Sequence, residues 1–389
     1  MGVSVEISPN VLAWIGQQIS PNTDAKITSL LKRWTNKEEI PTPKTIQQVS
    51  RATHIPFGYF FLKNPPQEEC GLVHCRTINS VSVTNQSREF IDVYNTMSNA
   101  QNWMSEYNRD VLKWDPLPFV GRFTENTSPM KIANDIRQEI EMDEDFFAHI
   151  KHATYFNFLR EKISELGILV MKNGVVGNNT HRELNIEEFR AFTLIDQYAP
   201  LIFINSTDTD NGKIFSLIHE LAHIWIGANS LFNDHHLNSH VSKIEQTCNA
   251  VAAEILVPVS IFKKEWNILE DNPSTKIANF ANVFPCSELV IARRALDLRF
   301  IEREVYENIA IKIKKQFEDY QRARHSKSGG GNFYKNLETK WDKRFIMALN
   351  SSTKSGDTPY IDAFRLTGLK IDTFHKLVAQ FNQRQVNNS

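Results

Sequence analysis

The chain has 389 residues, of which 41% are hydrophobic and 23% charged, and this composition is typical of a folded protein with two or three domains. Its formal net charge of −1 excludes polyanion binding by the chain as a whole, so any nucleic-acid contact requires a local patch. The 4 cysteines are too few for a disulfide scaffold, and we expect them to be buried, reduced thiols.

The first 66 residues are predicted to form a small helical domain. Apolar residues at helical spacing occur around Val11, around Leu30 and again from Ile46, and an Asn-Pro-Pro sequence ends the unit at residue 66. The first residues lack the pattern of a secretory signal, and no apolar run is long enough to span a membrane. We therefore expect a cytoplasmic protein with no membrane partner.

The rest of the chain divides into four predicted regions. Residues 67–159 are predicted to be a helical connecting region, 160–262 a core with strands, 263–324 helical, and 325–389 a glycine-rich linker followed by a C-terminal helical unit. In the core, strands are predicted within 167–176 and 200–205, and helices at about 213–226 and 242–257. The predicted fold class is α+β and mostly helical, with a small sheet between N-terminal and C-terminal helical units.

The first core helix contains the sequence HELAH at residues 219–223. His219 and His223 lie on one helix face one turn apart, so that both imidazoles can bind one Zn²⁺. Glu220 projects from a neighbouring face, where its carboxylate can take a proton from a water on the metal without itself binding the metal. Since the chain has 12 histidines, a chance match with ordinary core histidines is the competing interpretation.

A catalytic zinc site needs a third protein ligand. Glu245 follows on the second core helix, and Asn249 lies one turn later, where its amide can hydrogen-bond a ligand imidazole. Three alanines on this helix would let it approach the first one closely. We predict Glu245 as the ligand and one Zn²⁺ per chain. Glu254 as the ligand and a solvated Glu245 are the alternatives.

The segments 187–227 and 245–258 resemble the ImmA/IrrE family of metallo-endopeptidases, and the resemblance extends over about residues 160–262. It implies a gluzincin-like zinc peptidase domain with a small sheet and the HExxH helix. It further implies that His219, His223 and Glu245 are the zinc ligands, that Glu220 is the catalytic base, and that Asn249 is the asparagine following the ligand glutamate. It also implies an edge strand that aligns a substrate peptide by strand addition, formed by Leu201, Ile202, Phe203, Ile204 and Asn205.

The group that stabilises the oxyanion is left open by the sequence. Donors on the side opposite the metal are candidates, although histidines in a polar loop are usually only solvated. The candidates are Tyr198, His235, His236 and His240.

Residues 31–62 are similar to the second half of the XRE-type helix-turn-helix that some members of this family carry. Between residues 19 and 34 the chain is too short for a turn and a complete recognition helix. We therefore predict that 1–66 is a degenerate domain with a structural or protein-binding role rather than a DNA-reading one.

A second helix-turn-helix pattern occurs at residues 276–300, with Ser287 as the helix cap. Arg293, Arg294 and Arg299 are either phosphate contacts or part of a solvated basic face. Direct DNA binding therefore stays open. The last helical unit resembles C-terminal tails of the same family.

Three functions compete. The first is an endopeptidase that cuts a regulatory protein, and the resemblance implies a DNA-binding repressor or a similar regulator of stress responses or mobile elements as its substrate. The second is a DNA-binding regulator or an antitoxin-like component with a vestigial peptidase, and the third is an interaction module bound to a toxin partner. The intact Glu220 favours the first, because a purely structural zinc site has no use for a base.

Overall fold

The computed structural model describes residues 4–19, 23–66, 86–232, 243–268, 272–326 and 333–388. The protein is mostly helical with a small sheet, which is consistent with the predicted α+β class. No helix within the described ranges is both long and apolar enough to cross a membrane.

The first eight α-helices are α1 Pro9–Gln18, α2 Ala25–Thr35, α3 Pro43–Thr53, α4 Arg88–Glu106, α5 Pro129–Glu139, α6 Tyr155–Glu165, α7 Asp210–Ile226 and α8 Lys243–Leu256. The others are α9 Val259–Ile268, α10 Pro273–Val283, α11 Glu288–Asp297, α12 Arg303–Ser326, α13 Phe333–Lys340, α14 Lys343–Ser355, α15 Tyr360–Thr367 and α16 Ile371–Asn388.

A four-stranded sheet lies in the middle of the molecule, in the order β1-β5-β4-β6. β1 runs parallel to β5, whereas β4 is antiparallel to both β5 and β6. A separate antiparallel pair is formed by β2 and β3. The strands are β1 Leu169–Asn173, β2 Val175–Val176, β3 Asn179–Glu183, β4 Ala191–Leu194, β5 Leu201–Asn205 and β6 Ser230–Phe232.

The prediction that Leu201–Asn205 is an edge strand is wrong. β5 pairs with β1 on one side and with β4 on the other, so it is an internal strand. Its side chains also alternate between two apolar environments: Leu201 and Phe203 lie in one hydrophobic core, while Ile202 and Ile204 lie in another. A strand covered on both faces and both sides is an unbroken apolar run, which explains its sequence.

Helices cover both faces of this sheet. On one face, α7 and α8 pack with α5 and with the helices α9–α12 around a single core. On the other face, α4 and the C-terminal helices α13–α16 form a second core with the opposite side chains of β4 and β5. The helices α1–α3 enclose a third, smaller core of their own. The sheet is therefore the common support of the helices around α7 and of the C-terminal unit.

The helix with the two histidines begins three residues before its predicted start. The hydroxyl of Thr209 accepts a hydrogen bond from the backbone N–H of Gly212, which caps the helix and lets it begin at Asp210. It ends as predicted, because Gly227 adopts the left-handed conformation (φ 75°) and its N–H bonds to the carbonyl of His223.

The C-terminal unit closes the β1 edge of the sheet. The carboxylate of Asp342 accepts a hydrogen bond of 3.2 Å from the backbone N–H of Val170, and Arg160 donates to the Val170 carbonyl at 3.1 Å. Arg160 also donates to the Trp341 carbonyl at 2.7 Å, so that the same side chain joins the strand to the C-terminal unit. The polar groups of a buried strand edge are thereby satisfied.

We predict that Asp342→Ala lowers the free energy of unfolding by about 2–4 kcal/mol. The substitution leaves the buried N–H of Val170 without its acceptor and removes the cap of α14, where Asp342 accepts from the N–H of Arg344. Chemical denaturation measures the loss. Asp362→Ala is the matched control and should cost less than about 1 kcal/mol, because Asp362 belongs to an exposed pair with Arg365. Equal losses in the two variants would contradict this role of Asp342.

Candidate metal centre

The two histidines of the HELAH sequence lie side by side on a fully buried stretch of α7. His219 and His223 are 0% and 1% exposed, and their Nε2 atoms are 3.1 Å apart. Spacing of four residues on a helix produces this arrangement, since it places both rings on one face. Two imidazole nitrogens this close inside a protein core need a shared partner.

Glu245 supplies that partner from the first turn of α8. Its Oε2 lies 3.1 Å from Nε2 of His219, and its Oε1 lies 3.3 Å from Nε2 of His223. The side chain of Glu245 is only 18% exposed, so it is not the solvated glutamate of the alternative interpretation. The structure thus brings together the three residues predicted as zinc ligands.

Glu254, the alternative ligand, has other partners. Its carboxylate forms a buried ion pair with Arg294 and also accepts a hydrogen bond from the N–H of Val259. The guanidinium of Arg137 donates to its backbone carbonyl at 2.5 Å. Glu254 therefore belongs to the packing of α8 against other helices and not to the histidine cluster.

The donor set fits one zinc ion. Tetrahedral zinc with bonds of about 2.0–2.1 Å places neighbouring ligand atoms about 3.3 Å apart. The three distances among His219, His223 and Glu245 are 3.1, 3.1 and 3.3 Å. In the ranges that the structure describes, this is the only group of three or more histidine, cysteine or acidic side chains close enough to hold a metal ion.

The electrostatics of the centre favour a bound cation. Burial alone would raise the pKa of Glu245, but hydrogen bonds and charges of the two histidines move it far below its usual range. Burial alone would lower the pKa of His223, but Cys248 and the Glu245 carboxylate more than offset this effect and raise it well above its usual range. The carboxylate is thus held ionised against the imidazoles, and a metal that binds here must displace a proton from His223.

Glu220 lies next to this cluster in sequence but is not part of it. Its side chain is 0% exposed, and the group of converging ligand atoms does not include its carboxylate. Instead, the hydroxyl of Thr193 in β4 donates a hydrogen bond of 2.5 Å to its Oε2. The glutamate is therefore buried beside the three-residue cluster without contributing a ligand atom to it.

Thr193 is a site residue that the sequence analysis missed. It is 0% exposed and lies in the short strand Ala191–Leu194, whose other members are apolar. The available signal was the single hydroxyl in the otherwise apolar run at residues 191–194, because a buried hydroxyl needs a hydrogen-bond partner.

The predicted role of Asn249 has no counterpart among the described contacts. Asn249 is half-buried on α8, and within the described residues no hydrogen bond joins it to either imidazole. Cys248, one position earlier, contacts His223 instead. Cys248 and Cys286 are buried and free, as expected, whereas Cys70 and Cys75 lie outside the described residues.

The candidates for the oxyanion donor remain predictions. His235, His236 and His240 lie outside the described residues. Tyr198 lies in the loop between β4 and β5, where its backbone carbonyl accepts a hydrogen bond from the side chain of Asn108.

The basic residues of the second helix-turn-helix pattern differ in their surroundings. Ser287 caps α11 as predicted, accepting from the N–H of Val290. Arg294 is buried, paired with Glu254, and donates to the Val257 carbonyl at 3.1 Å, so it is not available to a phosphate. Arg293 forms an exposed pair with the aspartate one turn later, at residue 297. At Arg294, the prediction of a phosphate contact is therefore wrong, because the guanidinium joins α11 to α8.

Comparison with known proteins agrees with this geometry. Residues 163–296 match the family model Peptidase_M78, described as an IrrE N-terminal-like domain, and residues 341–380 match DUF8813, a domain of unknown function. No curated protein and no solved structure gave a match. Neither model includes the N-terminal helices, so an XRE-like unit there stays a prediction. The first match includes every residue of the metal centre and supports a metallopeptidase-like domain similar to those of the ImmA/IrrE family.

Proposed function

We propose that this chain is a zinc-dependent endopeptidase, with His219, His223 and Glu245 as the metal ligands and Glu220 as the catalytic base. The observation that carries the proposal is the convergence of two imidazoles and one carboxylate, from two helices, within 3.3 Å of one another. A buried glutamate that is not a ligand lies on the next residue of the same helix. A structural zinc site, with four protein ligands and no base, would not need this arrangement.

Each of these residues has a distinct task in peptide hydrolysis. His219, His223 and Glu245 would hold Zn²⁺, which when bound would supply Lewis-acid chemistry by lowering the pKa of a water molecule towards about 7 and polarising a peptide carbonyl. Glu220 takes a proton from the water molecule while the oxygen of that water attacks the carbonyl carbon. The protonated Glu220 then gives this proton to the nitrogen of the departing amine, so that the carbon–nitrogen bond breaks and the base is restored.

We further propose that the substrate lies along β6 rather than β5. β5 is internal, whereas β6 has β4 as its neighbour in the described part of the sheet. Thr193, which contacts Glu220, is paired with Ser230 of β6. A peptide that adds to the side of β6 that has no partner strand among the described residues would therefore extend the part of the sheet that reaches the base.

The proposed substrate is a regulatory protein, such as a DNA-binding repressor or an antitoxin-like partner, and this part rests on the family resemblance. The competing proposal is a DNA-binding regulator with a vestigial peptidase. It has less support, because Arg294 is committed to a buried ion pair and the glutamate of the HELAH sequence is intact.

For the metal, we expect the purified wild type to contain about one zinc per chain, and His219→Ala and Glu245→Gln to lose it. Each substitution removes one of three converging donors, and two donors hold zinc weakly. Elemental analysis after dialysis measures the stoichiometry. Glu254→Gln serves as the control on the same helix and should keep the metal. Loss of zinc from Glu254→Gln but not from Glu245→Gln would overturn the ligand assignment.

For catalysis, we expect Glu220→Gln to keep its zinc and its fold but to cleave about 10²- to 10⁴-fold more slowly, because the amide cannot accept the proton. The assay incubates each protein with the product of the neighbouring gene and follows the cut band. His149→Ala changes an exposed histidine and should cleave like the wild type. If the wild type and Glu220→Gln cut equally, the proposed mechanism is wrong. A salt-sensitive shift of a promoter fragment, without any cleavage, would favour the DNA-binding regulator.

A further inference from the structure

The short strand β4 carries one hydroxyl in an otherwise apolar setting. All four of its side chains are buried, and Thr193 is the only one of them that bears a polar atom. Burying a hydroxyl without a partner costs free energy, so a partner is expected. That partner is Glu220, the proposed base.

The distances identify what the hydroxyl does. Oγ1 of Thr193 lies 2.5 Å from Oε2 of Glu220 and 3.2 Å from the backbone carbonyl of the same residue. A hydroxyl has a single hydrogen to donate, and a carboxylate oxygen is the stronger acceptor. The shorter contact is therefore a hydrogen bond from the threonine to the carboxylate.

The threonine itself is held firmly. Its backbone is paired with Ile202 of β5 on one side and with Ser230 of β6 on the other. A β-branched side chain in a strand has few χ1 rotamers, so the position of its hydroxyl follows from the position of the strand. Glu220, in contrast, extends from α7 through three rotatable bonds, and the helix alone does not fix its carboxylate.

We infer that Thr193 is a positioning residue for Glu220: its hydroxyl holds Oε2, so that Oε1 is the oxygen directed to the water that attacks the peptide. The inference rests on the proposed peptidase function and adds to it a residue from the sheet. It also links substrate binding to the base through the sheet, since only β6 would separate a peptide added at β6 from β4 and its threonine.

The first test compares Thr193→Val, which keeps the shape but removes the hydroxyl, with Thr193→Ser, which keeps the hydroxyl. We expect Thr193→Val to lower kcat about 10- to 100-fold, the effect of losing one hydrogen bond to a charged group, with KM changed by less than about twofold. Thr193→Ser should recover kcat to within about fivefold of the wild type. Zinc content should be the same in all three proteins.

Thr367→Val is the matched control. Thr367 is also a buried threonine, 1% exposed, but its hydroxyl donates to the Ala363 carbonyl in the C-terminal unit. This variant should have the kcat of the wild type whatever its thermal stability. An unchanged kcat in Thr193→Val, or a Thr193→Ser variant as slow as Thr193→Val, would overturn the inference.

The second test does not depend on activity. Crystal structures of the wild type and of Thr193→Val should show one conformer of Glu220 bonded to the hydroxyl in the former, and a displaced or multiple carboxylate in the latter. An identical Glu220 conformer in both would overturn the positioning role. Failure of the proposed function is seen separately, as a wild type that holds Glu220 against Thr193 yet cleaves nothing at any concentration of zinc.

Discussion

The close packing of α7 against α8 is the constraint on which the candidate site depends. It brings the Glu245 carboxylate of one helix to 3.1 and 3.3 Å from two imidazoles buried on the other. Each of these groups alone would be costly to bury, and each offsets the cost of the others. The interface is tight because α8 presents small side chains to α7, among them Cys248 and Ala252, both 0% exposed. Any change that separates the helices would therefore affect metal binding before it affects the remainder of the fold.

The sheet supports this pair of helices from behind, and the C-terminal unit in turn supports the sheet. β4 and β5 carry the side chains that contact α7 on one face and those that contact α4 and α13–α16 on the other. Asp342 and Arg160 satisfy the outer edge of β1, so the unit matched by DUF8813 is bonded to the same strand layer that holds Thr193. The surroundings of Glu220, the proposed base, thus depend on elements from three distant parts of the chain.

The sequence predicted the arrangement of side chains within one helix of this site, but not the contacts between residues that are distant in the chain. The spacing of His219 and His223 indicates a shared face, because four residues are about one helical turn. The four apolar residues of β5 are compatible with an edge or an internal strand, since the run itself does not tell which sides are paired. Thr193 resembles any β-branched strand residue until the register places it beside Glu220. These are properties of pairing and packing, which no local pattern encodes.

Helix geometry alone shows that only one of the two acidic candidates on α8 can face the imidazoles. Glu245 and Glu254 are nine residues apart, and at about 100° per residue this places them on opposite faces of the helix. Once one face is turned towards the imidazoles, the other must find a different partner, and Glu254 finds Arg294 of α11. This ion pair joins the far side of α8 to α11. The same residue type is therefore the proposed metal ligand on one face of α8 and an ion-pair partner on the other.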